Sequence, residues 1–173
     1  MFETERLILR PWEETDAEDL FEYAQDPRVG PRAGWPPHTD REASRNTLRN
    51  VLMVPETYAV VLKENGRAVG SIGVHPRQES SAEPEIGYWI GVPYWGKGYI
   101  PEAVREILRH CFEDLGCTAV WCGYYAGNEQ SRRVQEKCGF RPRTFAPKQV
   151  TPMGDYRDTY YNCLTREEWM EAK

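Results

Sequence analysis

No stretch of the sequence approaches the ~20 consecutive apolar residues of a membrane-spanning helix, so no membrane partner is expected. The opening "MFETERLILRP" lacks the basic and apolar regions of a secretory signal. There is no C-x-x-C pair: the five cysteines (Cys111, Cys117, Cys122, Cys138 and Cys163) are odd in number and scattered. They read as reduced thiols of a cytoplasmic protein, not as a disulfide frame or a metal site. Basic residues are too few for broad nucleic-acid binding, with 22 Lys and Arg against 27 Asp and Glu, a net charge of −5. Internal repeats, low-complexity tracts and linkers are also missing.

What is present suits a single compact domain over residues 1–173. The chain is 40% apolar and 12% aromatic, enough for a real core. Strand-like runs occur at 5–12, at 57–75 around an Asn65-Gly66 turn, at 84–92, at 118–125 and at 158–164. Helical signals lie between them. Thr15 with Glu18, Thr39 with Glu42 and Thr165 with Glu168 have capping-box spacing. Val104, Ile107, Leu108, Cys111, Phe112 and Leu115 form one stripe on a helix expected from Pro101 to Leu115, ended by Gly116. "EQSRRVQEKCGF" reads as a short helix closed by Gly139. The pattern predicts one mixed α/β domain with about six or seven strands and four or five helices.

The segment "GVPYWGKGYIPEA" (91–103) puts glycines directly ahead of a helix. Bare amides and a positive helix end make an anion site, while a tight turn needing φ > 0 uses the same residues. Gly91-x-x-x-x-Gly96-Lys97 nearly spells a P-loop, but Gly98 stands where a metal-binding Ser or Thr belongs. Pro101 likewise breaks the dinucleotide fingerprint. On residue types alone, phosphate site and structural turn stay open.

"EIGYWIGVPYWGKGYIPEA", followed about 30 residues on by "NEQSRRVQEKCGF", resembles the GNAT acyltransferases, and among them the ribosomal-protein N-terminal acetyltransferases of RimJ/RimL type. The likeness extends to "TERLILRPW", "GWPPHT" and "TREEW". It implies a splayed strand pair at the sheet centre and acetyl-CoA (coenzyme A) as acetyl donor. The backbone of Ile90, Gly91 and Val92 would pair with the pantetheine arm, and Gly96, Lys97, Gly98, Tyr99 and Ile100 would cradle the pyrophosphate. The family's Q/R-x-x-G-x-G/A loop departs here at Trp95 and at Ile100.

The implied chemistry is acyl transfer from a thioester to an amine, which needs a base, oxyanion donors and help for the leaving thiolate. The resemblance points to Glu85 as base, with Glu83 a weaker substitute and a backbone N–H near Ile90 as oxyanion donor. The tyrosine that many relatives carry before "EK-x-GF" is Gln135 here, which leaves Ser131 as the acid. The resemblance implies Asn128 as a pantetheine contact, and Trp35, His38 and Tyr88 would line the acceptor side. His75 and His110 read as structural or solvent-facing. The acceptor is a protein N-terminus or a small molecule such as an antibiotic, polyamine or amino acid. A non-catalytic acetyl-CoA-binding module is the alternative outside enzymes, and monomer and homodimer both remain open.

Overall fold

A computed structural model describes residues 1–77 and 80–173. Among them, eight strands join one sheet in the order β1-β2-β3-β4-β5-β6-β8-β7. The strands are β1 (Phe2–Glu3), β2 (Leu7–Pro11), β3 (Thr57–Leu62), β4 (Ala68–Arg77), β5 (Ser80–Ile90), β6 (Ala119–Tyr125), β7 (Arg141–Val150) and β8 (Tyr156–Thr165). The α-helices are α1 (Ala17–Ala24), α2 (Arg41–Thr47), α3 (Tyr99–Arg109), α4 (Glu129–Lys137) and α5 (Arg166–Glu171). The mixed α/β class predicted from the sequence holds, with slightly more strands than expected. The chain divides into two compact units, residues 1–73 with 88–103, and 74–87 with 104–173.

In the first unit, β3 is buried at all six positions, which is why "TYAVVL" is apolar from Tyr58 to Leu62 after the polar Thr57. Its Val61, with Trp12, Leu20 and Leu48, belongs to the core against which Ile8, Trp35 and Trp89 pack. Two caps differ from the expected ones. Asp16, not Thr15, organises the start of α1: it takes the Glu13 N–H (2.8 Å) and is gripped by both Arg10 terminal nitrogens (2.8 Å each). Asp40, not Thr39, caps α2, accepting the Ala43 N–H at 2.7 Å.

In the second unit, β5 and β6 run parallel with Glu85 opposite Trp121, and β6 and β8 run antiparallel with Gly123 opposite Tyr161. The helix expected to end at Leu115 instead widens at His110–Asp114 into a π-helical turn, where the Leu115 N–H reaches back to the His110 carbonyl (3.0 Å). The extra residue in that turn rotates Leu115 off the apolar stripe and leaves it 45% exposed. His110 is buried against Asp114 (2.8 Å), a structural role. β7 was not legible as a strand: it carries Pro142 and Pro147, has two register shifts, and is exposed at nearly every position. The expected box of Thr165 with Glu168 is present at α5.

The cap assignment is open to a direct test. Asp40→Ala should lower stability by about 1 kcal/mol, the usual value of an N-cap, and Thr39→Ala should leave the melting temperature unchanged. Equal shifts in the two variants would return the cap to Thr39.

Candidate active site

Each glycine of the 91–98 segment is there for its own reason. Gly91 has an ordinary φ of −59°, but an added Cβ would lie 2.6 Å from the Tyr23 ring. Gly96 and Gly98 have φ of +72° and +79°, which side chains other than glycine rarely adopt. A Cβ on Gly96 would meet nothing within 4 Å, so its backbone faces open space. α3 begins immediately after, at Tyr99, presenting the N–H groups of its first turn.

Arg6 pins this loop. Its guanidinium donates to the Lys97 carbonyl (2.9 Å) and to Glu102 Oε2 (2.8 Å), and lies 4.3 Å from the centre of the Tyr99 ring. The Arg6 N–H and the Thr4 hydroxyl both donate to Glu102 Oε1, at 2.8 and 2.6 Å. Burial works to raise the Glu102 pKa, but these donors outweigh it and hold the carboxyl below its usual range. An acid in the first turn of α3 would repel an anion there; Arg6 balances its charge.

Trp95 and Ile100, the two departures from the family loop, also have physical explanations. The Trp95 indole N–H donates to the Ile90 carbonyl (2.9 Å), its backbone N–H donates to the Val92 carbonyl (3.1 Å), and Arg32 stacks 4.7 Å from its ring. Ile100 is buried and fills core space. Lys97 is exposed, its ammonium 5.9 Å from the Tyr94 ring.

Trp35 and His38, two of the three expected acceptor residues, stand in an aromatic row. Trp35 meets Trp89 edge-on at 5.7 Å, Trp89 stacks on Trp12 at 6.4 Å, and His38 lies 5.5 Å from Trp35. The row packs on the core. The His38 ring shares a 2.8 Å hydrogen bond with Ser44, and burial lowers its pKa, favouring the neutral imidazole. Tyr88 is half-buried on β5.

The second unit holds Glu85, Asn128 and Ser131. Burial raises the Glu85 pKa and Arg77 partly offsets this. An added Cβ at Gly123 would sit 2.9 Å from the Tyr161 ring and 3.4 Å from Glu85 Oε1, so a glycine on the middle strand lets these groups come close. Tyr161 is pushed up by burial and by the Glu85 charge. Arg77 covers Trp121 (3.8 Å) and reaches Tyr161 (5.4 Å), while Glu83 is taken by the Trp121 indole N–H (3.0 Å). Asn128 is the N-cap of α4 and accepts the Ser131 N–H at 3.2 Å, which accounts for an Asn here without a ligand. Ser131 Oγ accepts from Gln135 Nε2 (3.2 Å).

Residues 6–141 match the acetyltransferase (GNAT) domain. The chain is 31% identical over 180 residues to the Bacillus subtilis (strain 168) protein named "Putative ribosomal N-acetyltransferase YdaF", spanning 98% of this chain and 96% of that one. The chain belongs to the GNAT acetyltransferase family. A crystal structure described as an acetyltransferase (GNAT family) from Bacillus anthracis superposes on this acetyltransferase with a TM-score of 0.84 at 27% identity, covering 95% of this chain and 98% of that chain. Over 101 residues the acetyltransferase is 34% identical to the Aspergillus fumigatus "FsC-acetyl coenzyme A-N(2)-transacetylase", covering 57% of this chain and 43% of that protein.

Within this acyltransferase enzyme, the structure puts Gly96–Gly98 in the loop and Tyr99 and Ile100 in the first turn of α3, and ties Asn128 to Ser131. Glu85 and Ser131 belong to one unit, and Trp35, His38 and Tyr88 to the other. Sequence reasoning missed Arg6, Glu102, Gly123 and Tyr161. Arg6 sits inside the quoted "TERL" and Glu102 directly follows the helix-starting Pro101, yet neither spacing announces that the two meet.

The raised pKa of Glu85 makes its ionised form a burden on the fold. Its contribution to stability is fully present below the usual carboxyl pKa of 4.5 and is lost as pH rises through the folded-state value. Glu85→Gln should therefore melt higher than the parent at pH 7, with the gap closing as pH falls below about 4. A variant less stable than the parent at neutral pH would contradict the desolvated environment.

Proposed function

We propose that this N-acetyltransferase moves an acetyl group from acetyl-CoA to a primary amine by direct attack in a ternary complex, with residues 1–173 acting as one domain. The observation that carries the reading is the 96–100 loop: two glycines at positive φ, open space at Gly96, and a helix start whose one acid is balanced by Arg6. Such a cradle suits a pyrophosphate held by backbone amides without a metal. The name of the Aspergillus relative supports acetyl coenzyme A as donor. The name of the Bacillus subtilis relative, a ribosomal N-acetyltransferase, supports a ribosomal acceptor, whose amine we take to be a protein N-terminus.

When bound, acetyl-CoA supplies the acetyl thioester; the remaining roles fall to this chain. Glu85 takes a proton from the arriving ammonium, directly or through water, and its raised pKa strengthens it as a base. The neutral amine then forms the C–N bond while the C–S bond breaks, and the nitrogen releases its second proton to water, which restores any proton that Ser131 gives to the sulfur. A backbone N–H near Ile90 meets the developing oxyanion. Ser131 donates toward the departing sulfur, which takes its proton from the hydroxyl or from water.

Two measurements test this reading. Gly98→Asp should abolish most acetyl-CoA binding in calorimetry through strain, bulk and like charge, with Lys97→Ala close to the parent. Tight ATP–Mg²⁺ binding without any binding of CoA would replace the reading with a nucleotide site. In a free-CoA release assay across peptides and small amines, Glu85→Gln should lower kcat/KM by roughly 10²-fold or more, less at high pH where the amine arrives neutral. A pH–rate profile that this substitution leaves unchanged would remove Glu85 from the mechanism.

A further inference from the structure

Gln135 is fully buried on α4, while its neighbours Glu136 and Lys137 are exposed. A primary amide in the core is costly unless its hydrogen-bonding groups are met, and an aliphatic side chain would fill the space more cheaply. Its groups are met. Nε2 donates to the Gly123 carbonyl (3.0 Å) and to Ser131 Oγ (3.2 Å), and Oε1 accepts from Asn162 Nδ2 (2.8 Å). Asn162 is itself buried on β8, opposite Cys122 of β6.

The direction of this network follows from one atom. The Gly123 carbonyl can only accept, so the Gln135 atom facing it must be the nitrogen. The oxygen then faces Asn162, which must present its own NH₂. With both ends fixed, the second Gln135 hydrogen is directed at Ser131, one helical turn away. A hydroxyl that accepts on its oxygen keeps a single O–H to donate, and that hydrogen is turned away from Gln135.

We propose that Gln135 is a positioning residue that holds the Ser131 hydroxyl as a hydrogen donor, with Asn162 locking the Gln135 amide. The inference rests on the proposed acyl transfer, in which Ser131 donates toward the departing sulfur. Gln135 touches no reacting atom; it acts through Ser131.

The test replaces Ser131 by cysteine in the full chain and follows iodoacetamide alkylation of that residue against pH by mass spectrometry. An N–H directed at the 131 position stabilises a thiolate, so Ser131→Cys/Gln135→Met should titrate about one pH unit higher than Ser131→Cys alone. Ser131→Cys/Gln135→Glu should titrate higher still, and it keeps the side-chain shape should the Met variant fold poorly. In the CoA-release assay, Gln135→Met should lower kcat about tenfold, as Ser131→Ala does, and should cost nothing further in the Ser131→Ala background. Titrations unmoved by either Gln135 variant, with Ser131→Ala still slow, would overturn the inference alone. A Ser131→Ala variant as active as the parent would overturn the acid role and the inference with it.

Discussion

The Arg6–Glu102 pair is the constraint on which the loop at the head of α3 depends. As an ion pair it is worth little: the Arg6 side chain is 41% exposed, and pairs in that setting contribute at most ~1 kcal/mol. Its importance is geometric. One guanidinium binds the carbonyl of Lys97, the carboxylate of Glu102 and the face of Tyr99, three points spanning the change from irregular loop to helix. Gly96 and Gly98 supply conformations that cost other residues energy, and flexible residues keep a single arrangement only when something outside holds them. Arg6 does so from β2's approach, and Thr4 adds a second donor to the same carboxylate.

In the second unit the corresponding constraint is Gly123. Its missing side chain admits Tyr161 and Glu85 above β6, and its carbonyl takes the amide of Gln135, which in turn reaches Ser131. Glu85 and Ser131, for which opposite proton duties are proposed, are thus referred to one backbone position. Substitution there would disturb both at once. The environment of Glu85 also shows a conflict between folding and chemistry: desolvation that raises its pKa makes it a stronger base and a less comfortable charge.

Much of this was legible in the sequence, for physical reasons that differ by element. β3 announced itself because burial on both faces demands the apolar, β-branched run that follows Thr57, and α5 because Thr165 and Glu168 cap it reciprocally. The loop was legible because positive φ leaves glycine as its trace. β7 was not, since an exposed edge strand with prolines has no apolar face to write a period-two pattern. The starts of α1 and α2 are organised by Asp16 and Asp40, each one residue on from the threonine expected, and at α1 the Arg10 guanidinium holds the Asp16 carboxylate. Arg6 with Glu102, and Gln135 with Asn162, are pairs distant in sequence, and no local spacing records such a meeting. Gln135 was noticed only as the loss of a tyrosine, whereas in the fold it is a donor with a defined direction.

That direction bears on how a serine can serve where a stronger acid is expected. A thiol's ordinary pKa of ~8.5 makes thiolate a fair leaving group at neutral pH, so the sulfur does not need a full proton in hand as the C–S bond breaks. What it needs is a donor already aimed at the growing charge, because a dipole that must first reorient spends energy during the reaction itself. A serine hydroxyl rotates freely, and left alone it distributes its hydrogen among whatever acceptors are near. An amide N–H directed at the oxygen narrows that freedom by occupying one of its two lone pairs. Under the proposed reaction, the buried Gln135–Asn162 pair turns the Ser131 hydrogen away from Gln135 before the bond begins to break, an orientation that takes the place of a tyrosine's acidity.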